Sequence, residues 1–312
     1  MAQPLTTAVR VGSVELRHPV MTASGTAGYG VEMAPYLDLD RLGAVVVKSL
    51  AAFAWDGNPA PRVHPTAAGM LNSVGLQGPG VASWLEHQVP ALAAAGATVV
   101  CSIWGRSIED YAAAATLLAG APPCVVAVEV NLSCPNLSGH GRSGMFAHDP
   151  RLAAEALAAT AVSGLPRWAK LSPNTDRLVE VAAGVAEAGA DAVTLVNTVL
   201  GMVIDPDTLR PALGSGHNGG GLSGRAIHPV AVRAVHDVHR ALPDLAIIGV
   251  GGVSSGWDAA ELMLAGASAV QVGTASFADP AACRRVAAEL EAWAAGRGVD
   301  RLASVTGLGT RG

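Results

Sequence analysis

The two lysines of this sequence are its first candidates for chemistry, because the other 18 of its 20 Lys and Arg residues are arginines. Each lysine follows an apolar run, Lys48 in VVVKSL and Lys170 in WAKLSP. Arginine has a bulky, permanently charged fork and is no substitute for a compact ammonium in a tight site. The pattern predicts either a cation that pairs with an anionic ligand or a Schiff-base nucleophile. A lysine that merely extends to solvent is the alternative.

A cysteine and a set of asparagines add further chemistry. Cys134 lies in NLSCPN (131–136), beyond an apolar run and beside a proline, and this predicts a loop thiol that serves as a general base rather than a core residue. Asparagine is scarce, and four of these residues fall at predicted strand ends or on loops: Asn72, Asn131, Asn136 and Asn197. Their amides suit a flat ligand with alternating N–H and C=O edges. Turn formation is the alternative, and it suits Asn58, Asn174 and Asn218 better.

Short apolar runs alternate with alanine-rich amphipathic stretches, and this order is typical of parallel βαβ units. The predicted strands are Val20–Ala23, Ala44–Lys48, Thr98–Ile103, Val125–Asn131, Trp168–Leu171, Ala192–Asn197, Ala246–Gly249 and Ala269–Val272. The predicted helices are 32–39, 81–95, 107–119, 150–162, 176–189, 226–241, 256–265 and 280–296. Eight units predict one (β/α)8 barrel domain over residues 1–312. An open doubly wound sheet is the alternative, disfavoured by the lack of G-x-G-x-x-G at the first helix.

The segments between these units predict where the site lies. VRVGSVELRHP, with Gly12-Ser13 at its turn, predicts a β-hairpin that closes the bottom of the barrel. The long connections 49–80 and 198–225 follow strands, where barrel enzymes build their active sites. Glycine-rich turns after the last two strands, at Gly251, Gly252 and Gly273, predict a phosphate site. Glycines of ordinary tight turns are the alternative.

Composition argues against several other classes of protein. A net charge of −5 argues against a nucleic-acid partner. The four cysteines form no C-x-x-C pair, so no metal site is expected, and a reducing cytoplasm is the simplest setting. We expect no signal peptide, because MAQPLTTAVR lacks an apolar segment, and no membrane span, because Gly and Pro interrupt the uncharged windows.

Nine motifs, in this order, carry a resemblance that covers nearly the whole chain. They are HPVMTASGT, VVVKSL, MLNSVGLQGPG, NLSCPN, AKLSPN, LVNTVLGM, GGLSGRAIHP, GVGGVSS and AVQVGTASF. Together they resemble the dihydroorotate dehydrogenase family, in its class 1 form with a cysteine in NLSCPN. TASGT and NTVLGM are most similar to the NAD-linked subfamily 1B.

The resemblance implies a barrel that binds FMN and oxidises dihydroorotate to orotate. It implies that Cys134 removes the proton from C5 while a hydride passes from C6 to flavin N5. The implied cofactor contacts are Ser24, Lys48, Ser49, Ser102, Asn131, Lys170, Val196, Gly224, Gly251, Gly252, Gly273 and Thr274, with Lys170 at the flavin N1/O2 edge. The implied substrate contacts are Lys48, Asn72, Ser73, Val74, Gly75, Leu76, Asn131, Asn136, Asn197 and Thr198. It also implies a homodimer and a second subunit carrying FAD and a [2Fe–2S] cluster.

Two positions depart from the family pattern. Ser102 replaces the usual Asn, and Trp104 replaces a small residue. They leave open a related pyrimidine-like ring as substrate, and NAD⁺, fumarate or oxygen as the electron acceptor. A non-redox barrel lyase with Lys170 as its Schiff base is the remaining alternative.

Overall fold

The structure, a computed structural model, describes residues 5–132 and 146–310. Within these ranges the strands are β1 (Val9–Val11), β2 (Val14–Leu16), β3 (Val20–Thr22), β4 (Val45–Val46), β5 (Val63–Thr66), β6 (Gly69–Asn72), β7 (Val99–Ile103), β8 (Val125–Asn131), β9 (Arg167–Lys170), β10 (Ala192–Leu195), β11 (Val199–Gly201), β12 (Gly220–Ser223), β13 (Ala246–Val250) and β14 (Ala269–Val272). The helices are α1 (Val81–His87), α2 (Val89–Ala94), α3 (Ile108–Leu117), α4 (Pro150–Ala159), α5 (Leu178–Glu187), α6 (His228–Ala241), α7 (Gly256–Leu264), α8 (Ala275–Ala278) and α9 (Ala282–Ala295).

The central sheet is a parallel barrel, as predicted. Its eight strands run in the order β3-β14-β13-β10-β9-β8-β7-β4. Strands β3 and β4 meet through Thr22, whose backbone N–H donates to Ala44 O at 3.2 Å and whose hydroxyl accepts from the Val46 N–H at 2.9 Å. Because neighbours in the barrel are also neighbours in the chain, the alternative of a doubly wound sheet is wrong.

The hairpin β1–β2 lies at the amino ends of the barrel strands. The Ser13 backbone N–H and hydroxyl both donate to Asp191 Oδ2 at 3.0 Å, and Asp191 immediately precedes β10. The hairpin buries Val9, Val11, Val14 and Leu16. It therefore covers the barrel bottom, as predicted, and leaves the opposite rim for ligands.

Two predicted helices differ from the structure. Residues 32–39 form turns, because Pro35 lacks the N–H that a helix needs at that position. The predicted helix 81–95 is two helices that meet at Gln88, since Pro90 lies in the first turn of α2. No helix in the two described ranges is long and apolar enough to cross a membrane.

The two long connections contain a second sheet that the sequence analysis did not predict. It is antiparallel, in the order β11-β12-β6-β5. Its central pairing joins Gly221 to Asn72 and Ser223 to Met70, so the connection after β4 is bonded to the connection after β10. We call this four-stranded sheet the roof, because its residues Val63, Met70, Asn72 and Ser223 line the cavity described below.

Candidate active site at the carboxyl rim

A cavity with about 1050 Å³ of empty space, part of it open to solvent, lies at the carboxyl ends of the barrel strands. The structure brings most of the predicted site residues to its wall: Ser24, Lys48, Ser49, Asn72, Val74, Gly75, Leu76, Asn131, Lys170, Val196, Asn197, Thr198, Gly224, Gly251, Gly252, Gly273 and Thr274. Ser73 and Ser102 are fully buried and do not line it. Cys134 and Asn136 lie outside the described residues.

The turn after β13 is shaped for close approach to the backbone. Gly251 and Gly252 have φ angles of 138° and 71°. A Cβ at Gly252 would lie 2.7 Å from the His228 Cβ and 2.9 Å from the Gly224 carbonyl oxygen. No larger residue fits there without a shift of the turn, so the bare backbone faces the cavity beside Thr274, as a phosphate cradle requires.

Lys170 lies at the end of β9 and is 5% exposed. Its Nζ is 3.4 Å from Oε1 of Glu129, a fully buried carboxylate on β8. The other oxygen, Oε2, accepts from Gln271 Nε2 of β14 at 2.7 Å. Sequence reasoning missed both partners, although a carboxylate in the apolar run VVAVEVN is a signal, since a buried charge needs a partner.

A chain of hydrogen bonds fixes the amide of Asn131. Its Nδ2 donates to Ser49 Oγ at 3.2 Å, and its Oδ1 accepts from Asn197 Nδ2 at 3.2 Å. Ser49 Oγ in turn lies 3.1 Å from Ser24 Oγ and 2.9 Å from Ser102 Oγ. Ser102 therefore acts from behind the wall. The network sets which face of each amide is presented to a ligand.

Asn174 was assigned to a turn, but it also organises the cavity wall. Its Nδ2 donates to Ser172 Oγ and to the Thr198 carbonyl, both at 3.0 Å, and its Oδ1 accepts from the Leu200 N–H at 2.9 Å. The loop after β9 is thus bonded to the first residues of the roof. This holds Thr198 at the cavity edge.

Lys48 lies just beyond β4, half-buried, and lines the same cavity as Lys170. Its backbone N–H donates to Gly28 O at 3.0 Å. A Cβ at Gly25 would lie 3.3 Å from Lys48 Cδ, so the loop after β3 packs against the lysine stem. The two lysines are therefore held by different elements of the barrel and line the same cavity.

Trp104 is fully buried behind the cavity and packs with Leu76, Phe53 and Trp55. Its ring centroid is 6.0 Å from that of Phe53. Trp55 Nε1 donates to Gly75 O at 2.9 Å. The departure at Trp104 therefore supports segment 74–76 from behind and does not enter the cavity.

Nine further residues line the cavity without having been predicted: Ala23, Gly25, Thr26, Val63, Met70, Ser223, Ile227, Val250 and Phe277. Of these, Val63 and Phe277 are exposed, at 52% and 59%. Eight of the nine lie inside the motifs quoted above, and only Val63 lies outside them. Met70 opens the motif MLNSVGLQGPG, whereas Val63 had no signal, because segment 49–80 was predicted to be a loop.

The thiols within the described ranges are poor general bases. Burial raises the pKa of Cys283 to about 12 and raises the pKa of Cys101 further. Burial also raises the pKa of Cys124. All three are free cysteines, and none lines the cavity. No group of three His, Cys, Asp or Glu side chains in the described part of the chain is arranged to hold a metal ion.

Comparison with known proteins places these features in a family. The family model described as dihydroorotate dehydrogenase matches residues 6–293. The chain is 45% identical to the dihydroorotate dehydrogenase B (NAD(+)) catalytic subunit of Trichlorobacter lovleyi, over 96% of this chain and 97% of that protein. It is 44% identical to the protein of the same name from Desulforudis audaxviator, over 98% of each.

Proposed function

Since the chain belongs to the dihydroorotate dehydrogenase family, we propose that this oxidoreductase uses FMN to oxidise dihydroorotate to orotate in pyrimidine biosynthesis. One observation supports this most: a single cavity joins a glycine cradle, a belt of asparagines and both lysines of the chain. Such a cavity suits ligands that together carry a phosphate, a flat polar ring and two negative charges. We propose that residues 1–312 act as one FMN-binding domain.

The residues present fit a flavin phosphate. Gly251, Gly252, Gly273 and Thr274 form one side of the cavity, and Gly224 lies beside them. Lys170, at the base, suits the N1/O2 edge of the ring, where negative charge collects on reduction. When bound, FMN supplies the hydride acceptor, which no side chain of the protein provides.

The substrate would be held by the other wall. Lys48 pairs with its carboxylate, and the amides of Asn72, Asn131 and Asn197 bond to the ring edges. The remaining proposed contacts are Ser73, Val74, Gly75, Leu76, Asn136 and Thr198. Of these, Ser73 acts from behind the wall, since it is fully buried and its Oγ accepts from Asn58 Nδ2 at 2.8 Å.

Cys134 is proposed as the general base. With FMN bound, its thiolate would take the C5 proton and the C6 hydride would pass to the cofactor, so the substrate would lose two hydrogens and gain a C=C bond. The high pKa of Cys101 and of Cys283 removes those two thiols as competitors at neutral pH.

The electrons must then leave the site. Relatives are named as NAD⁺-linked catalytic subunits. We propose by likeness that this chain forms a homodimer and passes electrons to a second subunit with FAD and a [2Fe–2S] cluster. We also propose a cytoplasmic setting, which its free thiols suit.

Anaerobic titration of the purified protein tests the proposal. We expect a bound flavin that mass spectrometry identifies as FMN, and loss of its absorbance on addition of dihydroorotate. A Lys48→Ala variant that binds flavin but needs far more dihydroorotate is the matched control. Flavin that stays oxidised in wild-type protein would remove dihydroorotate as substrate.

Lys170 as a Schiff-base nucleophile is disfavoured by its pairing with Glu129. An ammonium held in an ion pair has no lone pair with which to attack a carbonyl. Borohydride trapping of a substrate on Lys170, in a protein without flavin, would reverse this conclusion.

A further inference from the structure

The cation at the base of the cavity belongs to a buried ion pair. Lys170 lines the cavity, whereas Glu129 and Gln271 lie behind it. The side chains of Lys170 and Glu129 are 6% and 0% exposed. A buried carboxylate is costly unless it is paired and hydrogen-bonded. Glu129 meets both needs, through Lys170 on one oxygen and Gln271 on the other.

The three side chains come from different strands of the barrel. Glu129 is on β8, Lys170 on β9 and Gln271 on β14. Gln271 is neutral and donates through Nε2, so it orients the carboxylate without changing its charge. Glu129 then opposes the charge of Lys170 at a separation of 3.4 Å. The pair presents to the cavity a cation whose field is partly cancelled from behind.

We infer that Glu129, oriented by Gln271, is a positioning residue that acts through Lys170. It holds the ammonium at the cavity base and lowers the reduction potential of the bound flavin below the value that Lys170 alone would give. The inference rests on the proposed function, since it requires a flavin beside Lys170. Glu129 would thus change the reduction potential of the cofactor without contacting it.

The test is the reduction potential of bound FMN in wild type and in Glu129→Gln, measured by equilibration with a redox dye. Gln keeps the shape and removes the charge. We expect binding of reduced relative to oxidised FMN to strengthen about tenfold, which for a two-electron couple raises the potential by about 30 mV. An unchanged or lower potential overturns the inference.

A double-mutant cycle shows whether Glu129 acts through Lys170. In a Lys170→Gln background, adding Glu129→Gln should leave the potential nearly unchanged. A shift of the same size with and without Lys170 would show that the carboxylate acts on the flavin directly, and would overturn the positioning role.

Thr194→Val is the matched control. Thr194 is fully buried on β10, is paired in register with Lys170, and its hydroxyl has no hydrogen-bond partner among the described residues. Its removal should leave the potential unchanged. A shift as large as that of Glu129→Gln would mean that any change in this layer alters the flavin, and would overturn the inference.

If Glu129→Gln does not fold, Glu129→Asp replaces it. The shorter side chain withdraws the carboxylate from Lys170, so the potential should rise by a smaller amount; no rise overturns the inference. Failure of the proposed function is distinct, because wild-type protein would then lack flavin or fail to be reduced by dihydroorotate.

Discussion

Replacing Gly252 by Ala should destabilise the protein through two separable costs, and the second of them should also weaken FMN binding. The first is backbone strain: φ is 71°, and a left-handed conformation costs a residue with a Cβ about 1–2 kcal/mol. The second is crowding, because the new Cβ would lie 2.7 Å from the His228 Cβ and 2.9 Å from Gly224 O. Inserting a methyl group into such a crowded position typically costs about 1–3 kcal/mol of stability.

Gly164→Ala isolates the first cost. Gly164 has a φ of 68°, nearly that of Gly252, but a Cβ there would meet nothing within 4 Å. Both variants should therefore lose about 1–2 kcal/mol of unfolding free energy from the backbone alone. Only Gly252→Ala carries the further loss from crowding.

Cofactor affinity separates the two variants. A displacement of the cradle worth about 1–3 kcal/mol should raise the Kd for FMN about 5- to 150-fold in Gly252→Ala, while Gly164→Ala should keep the wild-type value. The assays are urea unfolding of the apoprotein and flavin fluorescence titration. A wild-type Kd in a Gly252→Ala protein that does lose stability would refute the placement of phosphate at this turn.

Three further outcomes are expected. Cys134→Ser should retain FMN but lose most turnover at neutral pH, as measured by dihydroorotate-dependent dye reduction; undiminished turnover contradicts its role as the base. Lys48→Ala should raise KM for dihydroorotate with little change in FMN content, and the reverse result contradicts the assignment of Lys48 to substrate. Burial of His18 and the nearby Arg41 lower the pKa of His18 from 6.5 to about 4, and its Nδ1 accepts from the Val20 N–H. The unfolded chain therefore binds the extra proton first as pH falls, so about 3 kcal/mol of stability should be lost between pH 6.5 and pH 4. Urea unfolding of His18→Asn should show a shallower decline over that window, and an equal decline contradicts this reasoning.

The barrel strands were predictable because a parallel sheet is buried on both faces. Runs such as 45–47 and 99–101 are continuous and apolar, and the polar residues that follow such runs converge at one rim by geometry alone. For the same reason Lys48 and Lys170 could be placed near a ligand before any contact was known.

The roof and the ion pair were not predictable in the same way. Strand β12 is GGLS, which lacks the β-branched residues that mark a strand, and its partner β6 is far away in the sequence. Glu129 was visible as a charge in an apolar run, but its partners come from other strands. Long-range pairing is decided by the closed barrel, which a local pattern does not contain.

The roof also bears on how the protein assembles. The chain between the paired residues Asn72 and Gly221 contains β7, β8, β9 and β10, four of the eight barrel strands, so their pairing closes a long loop and is slow to form. We expect the binding wall to be completed last during refolding, after the barrel has closed. Hydrogen exchange during refolding should then protect β6 and β12 later than β7 to β9. A newly made chain would therefore become able to bind its ligand only in the last step of folding.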